Sequence, residues 1–460
     1  MVLDPCYKIA RLSLFFAMIY GAFGGVALAV PDFASQTGEP CTRCHIGAFG
    51  PQLTPFGRAF KIGGYTQGGG EGLAAKIPLS VMIQSSFTNT RSAVPDGAQA
   101  HHYATNNNFS LDQISVFVAG RVSDHTGGFM QFTWSDVSNE VHVDNIDLRP
   151  YTTLFTIGED TDLRVGTTIN NNPTVQDPYN TTPAWSFPYI SSLLAPAPAA
   201  KPVLAGRFAA NTIGYTVYAW YDRKLYLEAG AYTTPSAWLL TRFGDPLDPG
   251  AIVGGAPYLR AAYEWKWNDN YAHAGALYLD ANVNPGVPNG DGVAFGSTGQ
   301  VGQDRYTDYA FDAGYQFLGD GTHIVTAQAI YIHEDQRLNA SAAGTGLGTS
   351  FHLEQMNANV SYWYQNTYGA TLGWTKTWGS ANPFIVASAN NKPNSNAFTI
   401  EADWVPFGKA SSLYNPFVNL KLGVQYTAYT QFDGGTSNYD GTGRSASGNN
   451  TLLLFAWLAF

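Results

Sequence analysis

The sequence predicts an all-β fold: an antiparallel transmembrane β-barrel of about sixteen strands, its lumen plugged by a small, mainly α N-terminal segment. Three observations carry that prediction. Only 13 % of the 460 residues are charged, yet 14 % are aromatic and the mean hydropathy is −0.12. An apolar/polar alternation of period two recurs from about residue 76 to the C-terminus. The connections between the alternating segments are mostly short and long in turn. A strand with one face in lipid and one in a polar lumen explains how an aromatic-rich chain averages to near-neutral hydropathy. The same composition excludes other classes. A net charge of −10 with no basic run opposes nucleic-acid binding. The aromatic content opposes disorder.

The chain opens on a targeting signal, residues 1–29. Lys8 and Arg11 form a basic n-region, Leu12 to Leu28 is mostly apolar, and Ala27-Leu28-Ala29 is an A-x-A cleavage site before Val30. A transmembrane anchor is the weaker reading, because small residues crowd its C-terminal half. No later stretch reaches the roughly 18 apolar residues of a helical span. Cleavage removes Cys6 and leaves Cys41 and Cys44 in an oxidising compartment.

Residues 30–75 form the second unit. Cys41-Thr42-Arg43-Cys44-His45 is C-x-x-C-H, the attachment pattern of haem c. Two thiols add to the two vinyl groups on one edge of the macrocycle, and the adjacent imidazole swings onto the iron. A zinc half-site wants a second ligand pair, and the sequence has no other Cys pair. A redox disulfide wants a βαβ context, which is absent. Further on, Thr54 as N-cap, Pro55 in the first turn and Gly63 at C′ predict a helix over 55–62. Phe56 and Phe60 share one face and are candidates to pack on the haem. Arg58 and Lys61 lie on another side and are candidates for its propionates, solvation being the ordinary alternative.

A segment this short rarely folds alone, so the barrel wall is expected to complete it inside the lumen or its mouth. It also holds no distal iron ligand, since between His45 and Met82 there is no Met and no other His. Met82, on the first strand with Ser80, Gln84, Ser86 and Thr88, is the candidate for that position; water, Lys61 or a lumen His are the alternatives. Thioether ligation opposite His raises a haem potential.

Residues 76–460 are the barrel, with strands expected near 77–90, 110–123, 127–136, 141–149, 161–169, 210–221, 223–234, 256–267, 271–281, 304–317, 322–333, 351–365, 368–378, 396–406, 415–429 and 449–459. Leu420, Leu422, Val424 and Tyr426 oppose Asn419, Lys421, Gly423 and Gln425. The final strand closes on Phe460, which resembles the assembly signal of outer-membrane proteins. The longest connection, 170–209, is rich in proline and is either folded inward, as in porins, or external. His101 and His102, His142 with Glu140 and Asp144, and His333 with Glu334, Asp335 and His352 are candidate iron-binding polars at the external end. Ordinary loop polarity is the stronger reading of any one cluster.

A haem motif directly ahead of a barrel, followed by Leu53-Thr54-Pro55-Phe56-Gly57-Arg58-Ala59-Phe60-Lys61 and Gly64-Tyr65, resembles the fused monohaem cytochrome–porin family of the bacterial outer membrane. Characterised members oxidise ferrous iron. The likeness covers the layout of the whole mature chain, but its residue-level content sits in about residues 41–65. It implies one covalent haem c on Cys41 and Cys44, proximal ligation by His45, and delivery of electrons to a periplasmic cytochrome c or copper protein. The expected activity is therefore an oxidoreductase that takes electrons from an extracellular reductant, Fe2+ foremost. A solute porin with a haem-bearing structural or gating plug is the alternative. The expected location is the outer membrane, with long loops outside and both termini in the periplasm.

Overall fold

The computed structural model describes residues 32–71, 78–95, 100, 102–158, 161–243, 249–285, 303–415 and 417–460. The signal segment 1–29 and His101 lie outside the described residues. Sixteen strands close one antiparallel sheet: β1 Leu79–Thr90, β2 Asn108–Arg121, β3 Gly127–Ser135, β4 Glu140–Ile157, β5 Thr161–Asn170, β6 Ile213–Tyr221, β7 Leu225–Thr233, β8 Ala256–Trp267, β9 Asn270–Pro285, β10 Asp304–Phe317, β11 His323–Leu338, β12 Ser350–Tyr364, β13 Tyr368–Gly379, β14 Ser395–Trp404, β15 Asn419–Gln431 and β16 Thr451–Ala459. Each pairs with its sequence neighbour, and β16 pairs with β1 from Met82↔Ala459 to Thr90↔Thr451. Val81 and Phe460 exchange both backbone hydrogen bonds at this seam. Closure leaves no edge unpaired, which is what lets strands cross a membrane.

Alternation sets the two faces as expected. On β15, Lys421 is 2 % exposed and Val424 49 %. Tyr215, Tyr309 and Tyr426 near one rim, and Tyr221, Trp267, Tyr364, Tyr368 and Trp404 near the other, face outward as two aromatic girdles. Several strands run past their expected ends: β4 to Ile157, β9 to Pro285 and β11 to Leu338. Pairing continues there, through Tyr151, Leu154, Phe155 and Ile157 on β4 and through the polar run Glu334 to Arg337 on β11. Turns at 222–224 and 365–367 are tight, with Asp222, Arg223, Gln365 and Asn366 at positive φ. Two connections depart from the alternation: 136–139 is short at the long-loop rim, and 405–418 is long at the short-turn rim. The connection 234–255 carries a helix, Ala237–Phe243, and a three-residue strand, Gly250–Ile252.

The lumen is filled from two sides. At the short-turn rim sits the N-terminal plug: α1 Asp32–Thr37, α2 Cys41–Cys44 and α3 Pro55–Ile62. From the other side the connection 171–212 folds inward and runs from β5 across to the far wall. There Gln425 Nε2 donates to Ile190 O (3.0 Å) and Asn357 Nδ2 donates to Phe187 O (2.6 Å). Val203 N and Leu204 N donate to Glu334 and Asp308 at 2.6 and 2.8 Å. The inward reading of this loop holds.

Candidate cofactor site

Helix α3 has the expected bounds. Thr54 Oγ1 accepts from Gly57 N (3.1 Å) as N-cap and donates to Arg43 O (2.6 Å), so one side chain ties the start of α3 to the end of α2. Thr54 N donates to Cys44 O (2.9 Å) in the same clamp. Gly57 is required here, because a Cβ would collide with the Cys44 carbonyl oxygen. The left-handed residue after the helix is Gly64, φ +73°, one place beyond the expected Gly63. Phe33 stacks on Tyr65 (5.0 Å) and meets Phe60 edge-on (5.1 Å), fixing α1 against the end of α3.

Between the plug, the wall of β1–β4 and residues 183–193 of the inward loop lies a cavity of about 690 Å3, lined by Cys41, Cys44, His45, Phe60, Lys61 and Met82 among others. Its size is that of a cofactor site. Both thiols are free. Burial pushes them up, Cys41 to about 11 and Cys44 to about 12, so both stay protonated. Burial pushes the His45 imidazole down to about 4, which keeps it in the neutral form a metal ligand needs. Its Nδ1 is buried and has no hydrogen-bond partner. Two free thiols one helical turn apart, a neutral imidazole next to them and a roomy, largely apolar cavity fit a haem c.

The other expected site residues divide. Phe60 and Lys61 line the cavity. Lys61 is 4 % exposed, and its Nζ donates to Val175 O (2.6 Å) and Asn180 Oδ1 (2.9 Å), 4.9 Å from the Trp185 ring. Burial pushes it down to about 7. Met82, 8 % exposed, lines the same cavity from β1, and Gln84 Nε2 lies 3.9 Å from its sulfur. Arg58 departs from expectation. It pairs with Glu264 (2.9 Å), and Nη1 donates to Gln316 Oε1 (2.8 Å) and Leu53 O (3.1 Å), so it bolts the plug to β8 and β10 instead of lining the cavity. Phe56 also departs, since its ring sits 4.4 Å beneath the Arg43 guanidinium, outside the cavity lining. Helical spacing fixes which residues share a face but not which wall that face meets. At the long-loop end, alternation separates Glu334, turned into the lumen, from His333, which contacts Glu354 (3.2 Å) and Asp335 (3.5 Å). Among the described residues no three His, Cys, Asp or Glu side chains are grouped so as to hold a metal ion.

What sequence reasoning missed is how the plug is locked in. Tyr65 Oη donates to Asp147 Oδ2 (2.6 Å), Arg149 pairs with the same carboxylate (2.9 Å), and Tyr218 Oη donates to Ile62 O (2.6 Å). Arg260 joins Asp177 of the inward loop (3.0 Å) to Asp312 of β10. The only sequence signal for this was the presence of Arg and Asp on lumen-facing positions of strands.

Fold and site together define a porin-like outer-membrane barrel whose lumen holds a plug presenting two thiols and an imidazole to an internal cavity. No protein-family model matches the sequence, and no curated protein matches it. Solved structures similar to it include OmpT of Vibrio cholerae, 9 % identical with a TM-score of 0.43 over 83 % of this chain and 96 % of that one. An anion-selective porin from Comamonas acidovorans is 10 % identical, TM-score 0.43, over 83 % and 98 %. OmpF of Salmonella typhi is 12 % identical, TM-score 0.46, over 83 % and 97 %. The barrel assignment rests on the closed sheet and its two faces, not on these distant likenesses.

Proposed function

We propose that this protein is an outer-membrane electron-transfer cytochrome. It takes electrons from an extracellular reductant, Fe2+ foremost, by way of one haem c, and passes them to a periplasmic cytochrome c or copper protein. In this reading the short-turn rim and both termini face the periplasm. The observation that carries it is the cavity inside the barrel onto which Cys41, Cys44 and His45 open together. Bound there, a haem supplies a one-electron couple part-way across an apolar band about 25 Å tall.

The chain's own residues give that couple its setting. Cys41 and Cys44 would hold a haem covalently through their thiols, and His45 would supply a nitrogen ligand to its iron. Met82 of β1, which lines the same cavity, would be the candidate for a further iron ligand. Lys61 meets neutral oxygens, so a propionate would give its ammonium the counter-charge it lacks among those partners.

The second reading, a solute porin with a structural plug, is favoured by the barrel architecture and the inward-folded loop. Intact cells expressing the protein decide between them. Fe2+ added outside should reduce the haem within the mixing time, and Cys44→Ala should abolish both haem staining of the denatured band and that reduction. Full staining in Cys44→Ala, or a haem that ignores external Fe2+ while solutes permeate, would end the electron-transfer reading.

A further inference from the structure

Strand register places two arginines side by side on the outer face of the barrel. Arg305 of β10 pairs directly with Arg337 of β11, and the next pairs on the same face are Thr307↔Asp335 and Tyr309↔His333. Tyr306, Asp308, Glu334 and Gln336 alternate with them and are buried, so both arginines point away from the lumen. Tyr309 belongs to the aromatic girdle near the long-loop rim. Thr307 and then Arg305 follow it toward that rim on the same face. The arginine pair therefore stands just beyond the girdle, at the level of the lipid headgroups.

Like charges directly opposite each other on a sheet repel, and the carboxylates nearby do not satisfy both cations. Asp280 of β9 accepts from Arg305 Nε (2.8 Å) and Nη2 (2.9 Å), which leaves Nη1 uncommitted among the described residues. Asp335, the other carboxylate beside the pair, has a side chain 60 % exposed and lies 3.5 Å from His333 Nε2 instead. Arg337, exposed on the same face, has neither an ion pair nor a hydrogen bond among the described residues. Both arginines border a cleft of about 260 Å3, together with Thr307, Asp335 and Ser350. Tyr278 and Tyr309, their rings 5.3 Å apart, line the same cleft on its girdle side. Tyrosine rings toward the acyl chains and guanidinium groups toward the water suit an amphiphile with an anionic head.

We propose that Arg305 and Arg337 bind the phosphate of a lipid headgroup at the long-loop rim of the barrel. Guanidinium and phosphate match as a two-pronged, charge-assisted pair, and Arg337 has its whole fork to offer. The place names the occupant: an outward face at headgroup level is in contact with lipid, and the anionic group that lipids carry there is phosphate. An anion between the two arginines also turns their mutual repulsion into shared attraction. With the long-loop rim outside, as proposed above, the lipid is a phosphorylated glycolipid of the outer leaflet. Recognition of the phosphate rests neither on that orientation nor on electron transfer.

The test uses the full-length protein in detergent and bisphosphorylated lipid A as probe, with native mass spectrometry counting the lipid retained. Wild type should retain one saturable equivalent per barrel and hold the fully dephosphorylated lipid about tenfold less tightly or worse. Arg305→Gln and Arg337→Gln should each weaken retention about tenfold, the worth of one charge-assisted hydrogen bond. Lys376→Gln removes another outward cation, on β13, whose Nζ lies 5.0 Å from the Trp378 ring, and should leave retention within about twofold. Heat-modifiable gel mobility verifies assembly of each variant, and if one arginine variant fails to assemble the other carries the comparison. No saturable equivalent, or equal retention of the dephosphorylated lipid, would mean that the arginines are simply solvated. Unchanged retention in the arginine variants, or an equal loss in Lys376→Gln, would reduce the effect to diffuse charge. Displacement of the lipid by an equal concentration of inorganic phosphate would make this a plain anion site. Each of these outcomes overturns the proposal.

Discussion

The two walls of the lumen are built from the same closed sheet and filled in opposite ways. The wall of β4–β10 carries large, charged or aromatic side chains: Arg149, Arg260, Tyr218, Tyr226, Tyr232 and Tyr258 are all buried. These reach across and fasten the plug and the inward loop through shared carboxylates. The wall of β1–β3 carries mostly smaller, neutral side chains, Gln84, Ser86, Thr88, Ser115 and Thr133, with Asp112 as a buried carboxylate among them, and there the cavity remains. Strand pairing runs unbroken around both walls. Side-chain volume separates them, and it decides on which side of the barrel a cofactor fits.

The largest effect should come from breaking the packed wall. Arg260→Met leaves Asp177 and Asp312 buried without their cation, at a cost of about 3–5 kcal/mol. Because Asp177 belongs to the inward loop, much of that strain should be relieved by loop release instead of global unfolding. Single-channel conductance should therefore rise well above wild type, and the 171–212 segment should become cleavable by added protease. Wild-type conductance with intact protease resistance would show that the loop is held elsewhere.

On the open wall the informative change is Met82→Ala. If the sulfur ligates the iron, the weak far-red absorption band of a Met-ligated ferric haem disappears. The potential then falls by a sizeable part of the roughly 0.8 V that axial ligands span. If Met82 only lines the cavity, neither changes. The backbone pairing of β1 with β2 and β16 does not depend on this side chain, so barrel assembly should be unaffected, and heat-modifiable mobility verifies that.

How much of this was legible beforehand follows the range of each interaction. Helix α3 was readable to the residue because Thr54, Pro55 and the glycines after Ile62 act within one turn. The two faces of β15 were readable because period two is local. The end of β11 was read short at Leu338 because Glu334, Asp335, Gln336 and Arg337 continue the ladder without the alternation that announces it, and β4 runs on to Ile157 past Pro150, which interrupts the pattern. Arg58 was assigned to the wrong neighbour because its partners, Glu264 and Gln316, lie more than 200 positions away in sequence. The extra residue Asp112 on β2, between Gln84↔Gln113 and Ser85↔Leu111, escaped notice for a related reason: a bulge is a relation between two strands and leaves no mark on either one alone.

The smallest effect should come at the rim, where α1 meets the start of β1. Asp32 Oδ2 accepts from Ser80 Oγ (2.8 Å), and Oδ1 is buried without a partner. Burial raises this carboxyl from 3.8 to about 8, with the Ser80 bond opposing in part. The docked state thus binds a proton that the undocked state releases between those two values. Docking of α1 is therefore favoured most below pH 3.8, weakens as pH rises toward about 8, and is flat beyond it. A terminal helix opens locally long before the barrel does, so the observable change is capped near the free energy of fraying, on the order of 1 kcal/mol. Amide hydrogen exchange in residues 33–37, corrected for the intrinsic pH dependence, should show protection falling from pH 5 to pH 8 in wild type. Asp32→Asn, which keeps the shape and cannot ionise, should show protection that does not change over the same range. A wild-type profile as flat as that of the variant would mean that Asp32 is already ionised in the docked state.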